Sequence, residues 1–187
     1  MTPACANRYS LALGVLLAGV LAVAPESASA APTCAGAGAT ARQASTRQLV
    51  RSTLCLLNAE RRRHGLRRVR LSKRLSGAAG RHSRDMVRNG YFSHTSLSGA
   101  TFVDRIRRSG YLNGAFTWMV AENLAWGAGS LSSPGKIVQA WMHSPGHRHN
   151  ILTHRFVHIG IGVVRGAPQS VRGMAAATYT TDFGFRR

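Results

Sequence analysis

The segment "FTWMVAENLAWG", residues 116–127, contains the most unusual residue pattern in the chain. Its large apolar side chains alternate with a period of two, which predicts an extended strand with one buried face. Glu122 falls on that same face, and an unpaired buried carboxylate costs several kcal/mol. We therefore expect Glu122 to have a charged partner or to belong to a site. The residues predicted to share its face are Phe116, Trp118, Val120, Leu124 and Trp126.

Helices are predicted before this strand, and further strands after it. Ser72 is a helix cap, Thr101 and Asp104 form a capping box, and Gly90 is placed to end the helix that begins after Ser72. Helices followed by alternating segments predict an α+β layered domain. The apolar spacings that predict the first two helices are Val50, Leu54 and Leu57, and Leu75, Ala79, His82 and Met86; Ser133-Pro134 begins a later helix, and residues 159–163 and 179–185 alternate as strands.

Five of the eight histidines lie close together in the chain: His143, His147, His149, His154 and His158. His143 and His147 are four residues apart, but Pro145 and Gly146 interrupt the helical face that would present both to a metal. No His-Glu-x-x-His motif occurs. This stretch alone does not predict a zinc site, and His82, on the apolar side of its helix, is predicted to be a packed, hydrogen-bonded histidine.

The N-terminal residues have the order of a secretory signal. Arg8 precedes an apolar run from Leu11 to Ala24, and Ala28-Ser29-Ala30 follows. The run is too short to span a bilayer, so we expect residues 1–30 to be removed and no transmembrane anchor to remain. Residues 31–45 are rich in small residues and predict a flexible lead-in before a domain at 46–187.

Export also determines the expected state of the cysteines. Removal of the signal takes Cys5 with it and leaves Cys34 and Cys55. An even number of cysteines in an oxidising compartment predicts a disulfide between them.

The formal net charge is +19, and it stays at +19 when the signal, which carries Arg8 and Glu26, is removed. Such a field attracts polyanions such as cell-envelope polymers or anionic lipid head groups. The excess of arginine is equally compatible with genome composition alone. No recognised nucleic-acid motif or interleaving of basic and aromatic residues predicts specific nucleic-acid binding.

Six ordered segments resemble the motif series of bacterial CAP domains, of the cysteine-rich secretory, antigen 5 and pathogenesis-related superfamily (SCP domain). The resemblance covers about residues 50–187 and implies a three-layer α-β-α sandwich with a central cleft. It implies further that His94, Glu122 and His147 converge in that cleft. The segments are "YFSH" (91–94), "DRIRRSGY" (104–111), "AENLAWG" (121–127), "WMHSPGHRHNIL" (141–152), "IGIGV" (159–163) and "YTTDFG" (179–184).

The chain departs from the family pattern at Ser144, where many eukaryotic members have a second glutamate. His94, His147 and Glu122 could bind Zn²⁺ or another divalent metal, although no cofactor is required. If Glu122 is a ligand, however, no cleft carboxylate remains as a general base. Glu122 and His147 are the candidate catalytic residues, and a buried polar network that only closes the cleft is the alternative.

The sequence thus favours a secreted, monomeric binding module, with a lipid or peptide among its candidate ligands, over an enzyme. A peptidase-like hydrolase that uses the same cleft and a cationic polyanion-binding protein are the two rival functions.

Overall fold

A computed structural model describes residues 34–187 and shows five helices packed on a four-stranded sheet. The sheet order is β1-β3-β4-β2; β1 is parallel to β3, and the other pairs are antiparallel. The predicted signal segment lies outside the described residues. The elements are α1 (Thr46–Arg63), β1 (Arg70–Leu71), α2 (Lys73–Asn89), α3 (Phe102–Arg108), β2 (Trp118–Ala128), a 3-10 turn (Gly129–Ser132), α4 (Pro134–His143), α5 (Pro145–Leu152), β3 (His158–Arg165) and β4 (Ala176–Arg186).

The helices lie in two layers, one on each face of the sheet, so the predicted three-layer sandwich is confirmed. Odd-numbered residues of β3 and β4, such as Ile161 and Tyr179, pack with α1, α4 and α5 in the larger core. Even-numbered residues face α2 and α3, whose apolar side chains form a smaller core around Leu75 and Ile106. Residues 122, 182 and 184 are even-numbered and lie on this second face.

Glycines in β3 bring α2 unusually close to the sheet. A Cβ added at Gly160 would lie 2.1 Å from the carbonyl carbon of Leu75, and one at Gly162 would lie 2.3 Å from that of Ala79. Both distances are far below van der Waals contact, so only glycine permits this approach. The "IGIGV" segment therefore fixes the position of α2 and of the loop that follows it.

The predicted helix ends are confirmed. The Ser72 hydroxyl accepts from the Leu75 amide, and Thr101 and Asp104 form the reciprocal capping box of α3. Gly90 ends α2 in the left-handed conformation, with φ of 66°, which costs glycine no side-chain clash. The chain then turns into the loop that carries His94.

Arg61 on α1 holds the segment after α5 in place. Its side chain is fully buried, and its guanidinium donates to the carbonyls of Ile151 at 2.7 Å, Thr153 at 3.0 Å and Phe156 at 3.1 Å. A buried guanidinium needs several acceptors to offset its desolvation. Carbonyls at the end of α5 supply them, which anchors this helix to α1.

Residues 34–45 were expected to be flexible, but they pack into the domain. Ala41 and Ala44 are buried in the larger core, and the Ala41 amide donates to Ser132 Oγ at 2.9 Å. The predicted disulfide between Cys34 and Cys55 is present, with a Cα–Cα distance of 5.7 Å. Small side chains indicated flexibility in the sequence, but here they allow close packing.

Strand β2 begins later than the apolar alternation suggested. Trp118 lies in β2 on the same face as Glu122 but is 39% exposed, and Phe116 precedes the strand and is 98% exposed, so neither is buried with Glu122. β2 lies at an edge of the sheet, and its buried residues are Glu122 to Leu124 in the middle of the strand and Gly127 near its end. The alternation with a period of two correctly predicted a strand, but it did not show how far the packed helices extend over that strand.

Within residues 34–187, no helix has the length and apolar character needed to cross a membrane.

Candidate functional site

Glu122 lies in the buried middle of β2 and has a charged group at each oxygen. It is 5% exposed. Its Oε1 accepts from His94 Nδ1 at 2.8 Å, and its Oε2 accepts from Arg105 Nη2 at 2.7 Å. The carboxylate predicted to need a partner therefore has two, one from the loop after α2 and one from α3.

His94 is held by Glu122 at one nitrogen and is otherwise accessible. Its side chain is 52% exposed, whereas the Glu122 side chain is 1% exposed. A carboxylate can only accept, so Nδ1 carries the proton in this contact, and Nε2 of the neutral ring keeps its lone pair. A buried carboxylate thus orients an exposed imidazole, which is the usual way in which proteins orient histidine ligands and bases.

His147 lies in the first turn of α5, which is joined to β2 beside Glu122. Asn123 Nδ2 donates to the His147 carbonyl at 3.1 Å, and Asn150 Nδ2 donates to the Glu122 carbonyl at 3.3 Å. Burial lowers the pKa of His147, and the nearby charge of His94 lowers it further. The start of α5 is thus joined to β2 beside Glu122, and His147 favours the neutral form.

Arg105 is the first residue of the site that the sequence reasoning missed. It is 9% exposed, and Nη1 donates to the Ala100 carbonyl at 3.0 Å and to Ser96 Oγ at 3.2 Å, while Nη2 binds Glu122. The requirement that Glu122 have a partner, together with the arginines of "DRIRRSGY", was the available signal. Several arginines in that segment are equivalent in sequence, so the choice among them needed the structure.

Asp182 is the second missed residue. It lies opposite Glu122 in the β2–β4 pairing, is 2% exposed, and its Oδ1 has no hydrogen-bond partner. Burial raises the pKa of Asp182 well above its usual range, and the negative charge of Glu122 raises it further. Because Glu122 also has His94 and Arg105 to stabilise its charge, we assign the proton to Asp182.

The remaining histidines have other contacts. His82 is buried, and its Nε2 donates to the Ser93 carbonyl at 2.9 Å; burial lowers its pKa. His143 Nδ1 contacts the Gln139 carbonyl, and His158 Nδ1 contacts the Tyr111 hydroxyl. Arg148 Nη2 contacts His64 Nε2 at 3.1 Å.

Metal binding by His94, His147 and Glu122 together does not suit the geometry of Glu122. Its Oε1 accepts from His94 Nδ1 and its Oε2 accepts from Arg105, so Glu122 lies behind the His94 ring, on the side opposite the Nε2 that a metal would meet. Across residues 34–187, no group of three or more His, Cys, Asp or Glu side chains is arranged to hold a metal ion. Two imidazoles remain, a donor set that suits Zn²⁺, Cu²⁺ or Ni²⁺ but leaves most of the coordination to other ligands.

The three-layer α-β-α sandwich, with a buried glutamate in the edge strand hydrogen-bonded to a histidine, is the arrangement expected of a small CAP-type domain. Residues 54–181 match the sequence profile of CAP, the cysteine-rich secretory protein family. This chain belongs to that family.

Similar proteins come from several bacteria. The chain is 38% identical over 110 residues to the uncharacterised protein YkwD of Bacillus subtilis (strain 168), a match that covers 58% of this chain and 40% of YkwD. It is 28% identical to an extracellular protein of Bacillus anthracis that contains an SCP domain, with a TM-score of 0.57 and coverage of 77% of this chain and 44% of that one. An outer surface protein of Borrelia burgdorferi shares the fold at 21% identity and a TM-score of 0.60, covering 77% and 97% of the two chains. The chain thus spans less than half of YkwD.

Proposed function

We propose that this protein is a secreted binding module that acts at or beyond the cell envelope and takes its ligand through His94 and His147. Membership of the CAP family and the similarity to an extracellular SCP-domain protein support this placement. So does the predicted signal segment. The ligand is a divalent cation held by the two imidazoles or a small molecule that hydrogen-bonds to them.

The observation that carries this proposal is the position of Glu122 behind His94. Because Glu122 accepts from Nδ1, it fixes the tautomer and leaves Nε2 as the group that meets a ligand. The lowered pKa of His147 keeps the second imidazole neutral and able to donate a lone pair at neutral pH. Two imidazoles, one of them oriented by a buried carboxylate, can bind a ligand even without a third protein ligand.

Binding is favoured over hydrolysis because the site contains no activated nucleophile. Within residues 34–187, neither His94 nor His147 forms a hydrogen bond with the side chain of a serine, threonine or cysteine. Catalysis by a histidine base would then have to act on water or on the ligand itself.

The test is a calorimetric Zn²⁺ titration of the purified protein at moderate salt. We expect saturable binding that His94→Ala and His147→Ala each weaken at least tenfold, about 1.4 kcal/mol. His154→Ala is the matched control, because it removes an exposed histidine of the same cluster. Wild-type binding that survives both site variants, or that His154→Ala also weakens tenfold, would show that the imidazoles do not act together.

A hydrolase is the second candidate, and the Glu122–His94 contact is the specific observation in its favour. A carboxylate that orients an exposed imidazole is also the arrangement of a general base that activates water. Turnover of a peptide or cell-wall fragment library that disappears in Glu122→Gln would establish it. Wild-type protein that is inert towards both libraries would leave binding as the function.

A further inference from the structure

We propose that a second site, the groove between α2 and α3, binds phosphate groups. This cationic groove has a volume of about 720 Å³, within the range of about 300–1,000 Å³ typical of ligand sites. It lies on the outer side of the layer that covers Glu122. The charged residues that line it are Lys73, Arg74, Arg81, Arg105, Arg108 and Asp85.

Within residues 34–187, four of the five basic residues that line the groove form no ion pair; the fifth, Arg105, pairs with Glu122. The one carboxylate of the groove, Asp85, is engaged by the Tyr91 hydroxyl and by Asn89 Nδ2. No ion pair is formed by Lys73, Arg74, Arg81 or Arg108 in this part of the chain. The other described carboxyl groups lie elsewhere: Glu60 pairs with Arg63, Asp104 lies in the cap of α3, Glu122 binds His94 and Arg105, and Asp182 is buried opposite Glu122.

Two exposed arginines of α2 that line this groove have contacts that place their guanidinium groups. Arg81 Nη1 lies 3.3 Å from where a Cβ on Gly77 would be, so the guanidinium rests on a helix surface that has no side chain there. Arg74 Nη1 donates to the Gly110 carbonyl at 2.9 Å, which holds it at the end of α3. Ala78 is the other small floor residue. An anion can therefore approach closely, with less side-chain entropy lost on binding than at free surface arginines.

Arg105 connects the cationic groove to the His94 site. Its guanidinium lines the groove, yet one nitrogen binds Glu122, which in turn binds His94. An anion beside Arg105 draws on the same positive charge that stabilises Glu122. Binding of an anion in the groove should therefore change the electrostatic environment of the His94 ring without any direct contact.

The arrangement suits phosphate better than a single carboxylate. A guanidinium group can bind two phosphate oxygens at once. The guanidinium groups of the groove come from two helices, α2 and α3, which form its opposite walls. A ligand with several oxyanion groups can satisfy both walls at once. Phosphate groups of a soluble polymer and those of a lipid head group share this chemistry, and the experiment separates the two sources.

The first arm titrates inorganic triphosphate into the full protein by calorimetry at moderate salt. We expect Arg81→Gln/Arg108→Gln to weaken binding at least tenfold. The matched control is Arg47→Gln/Arg51→Gln, which removes the same charge from two exposed arginines four residues apart on α1 and should change affinity less than twofold. Equal losses in the two double variants, or no wild-type binding, would overturn the proposal, because either result leaves only the general field of the +19 chain.

The second arm follows the His94 ring resonances during the same titration. We expect a saturable shift that is absent in Arg81→Gln/Arg108→Gln; an unchanged His94 ring at saturation would overturn the link through Arg105. The groove does not depend on the cleft, so His94→Ala should still bind triphosphate even if the Zn²⁺ test fails.

The third arm compares long-chain polyphosphate with vesicles that contain phosphatidylglycerol. Loss of binding in Arg81→Gln/Arg108→Gln, but not in the control, supports the groove. If only polyphosphate binding is lost, the phosphate source is a soluble polymer; if only vesicle binding is lost, the source is a lipid head group. If Arg81→Gln/Arg108→Gln binds both probes as tightly as wild type does, the groove is not the phosphate site.

Discussion

Replacement of Arg105 by methionine tests whether the Glu122 network is a stabilising part of the fold. The change keeps an extended apolar side chain but removes three hydrogen bonds, of which the 2.7 Å contact with Glu122 is the shortest. Glu122 is 5% exposed and Arg105 is 9% exposed, so water cannot readily replace the lost partner. Removing one member of a buried ion pair costs about 3–5 kcal/mol.

We therefore expect Arg105→Met to lower the free energy of unfolding by about 4 kcal/mol. In a domain of this size that corresponds to a fall in Tm of about 8–16 °C. Urea unfolding followed by circular dichroism measures the change. The matched control is Arg107→Met, an exposed arginine on the same helix, which should change stability by less than about 0.5 kcal/mol.

A double-mutant cycle with Glu122→Gln separates the ion pair from simple loss of packing. The double variant removes both charges, so it should be more stable than the sum of the single losses predicts, with a coupling energy of about 2 kcal/mol. Strict additivity would refute the ion pair as the source of stability. A cost below about 1 kcal/mol for Arg105→Met would refute the burial argument itself.

Two further predictions concern residues that position the site. Gly160→Ala should destabilise the protein by about 1–3 kcal/mol, because its Cβ would lie 2.1 Å from the α2 backbone; a Tm unchanged from wild type in a thermal melt would contradict this. Asp182→Asn should gain stability relative to wild type as pH rises above about 4. Burial raises the Asp182 pKa from 3.8, so above about pH 4 the folded protein keeps a proton that the unfolded chain releases. The free energy of unfolding of wild type therefore falls as pH rises from about 4 towards the folded-state pKa. The asparagine side chain of the variant does not titrate, so its stability lacks this dependence. A stability difference that stays constant between pH 4 and 7 would argue against a neutral Asp182.

Local rules predicted the helix ends because the decisive residues are neighbours in sequence, whereas the disulfide followed from the count of cysteines left after removal of the signal. The cap at Ser72 and the capping box at Thr101 depend only on backbone and side-chain groups three residues apart. The prediction of a flexible lead-in was wrong because its packing depends on residues that are distant in sequence. Whether Ala41 is loose or buried depends on Ser132, about ninety residues later, and no local pattern reports such a contact.

Only part of the site could be predicted from the sequence, because some of its contacts depend on distant residues. A carboxylate on the apolar face of a strand indicated that Glu122 needed a partner, and the family resemblance supplied His94 and His147. Asp182 gave no such signal, since alternation in β4 identifies only the face that carries Tyr179 and Phe183. β4 is an inner strand between β3 and β2, so its second face is buried too, and that fact belongs to the sheet order rather than to the strand.

Asp182 also changes what the departure at Ser144 means for chemistry. The loss of a second glutamate there indicated a site with one carboxyl group, but the sheet places a second one directly opposite Glu122. That group is buried and holds a proton, so it cannot act as a base toward a ligand; instead it can hydrogen-bond to Glu122 and stabilise its charge. Glu122 is thereby surrounded by a guanidinium, an imidazole and a buried carboxyl group. The carboxylate is therefore fixed as a support for His94, and the ligand chemistry of the cleft falls to the two imidazoles.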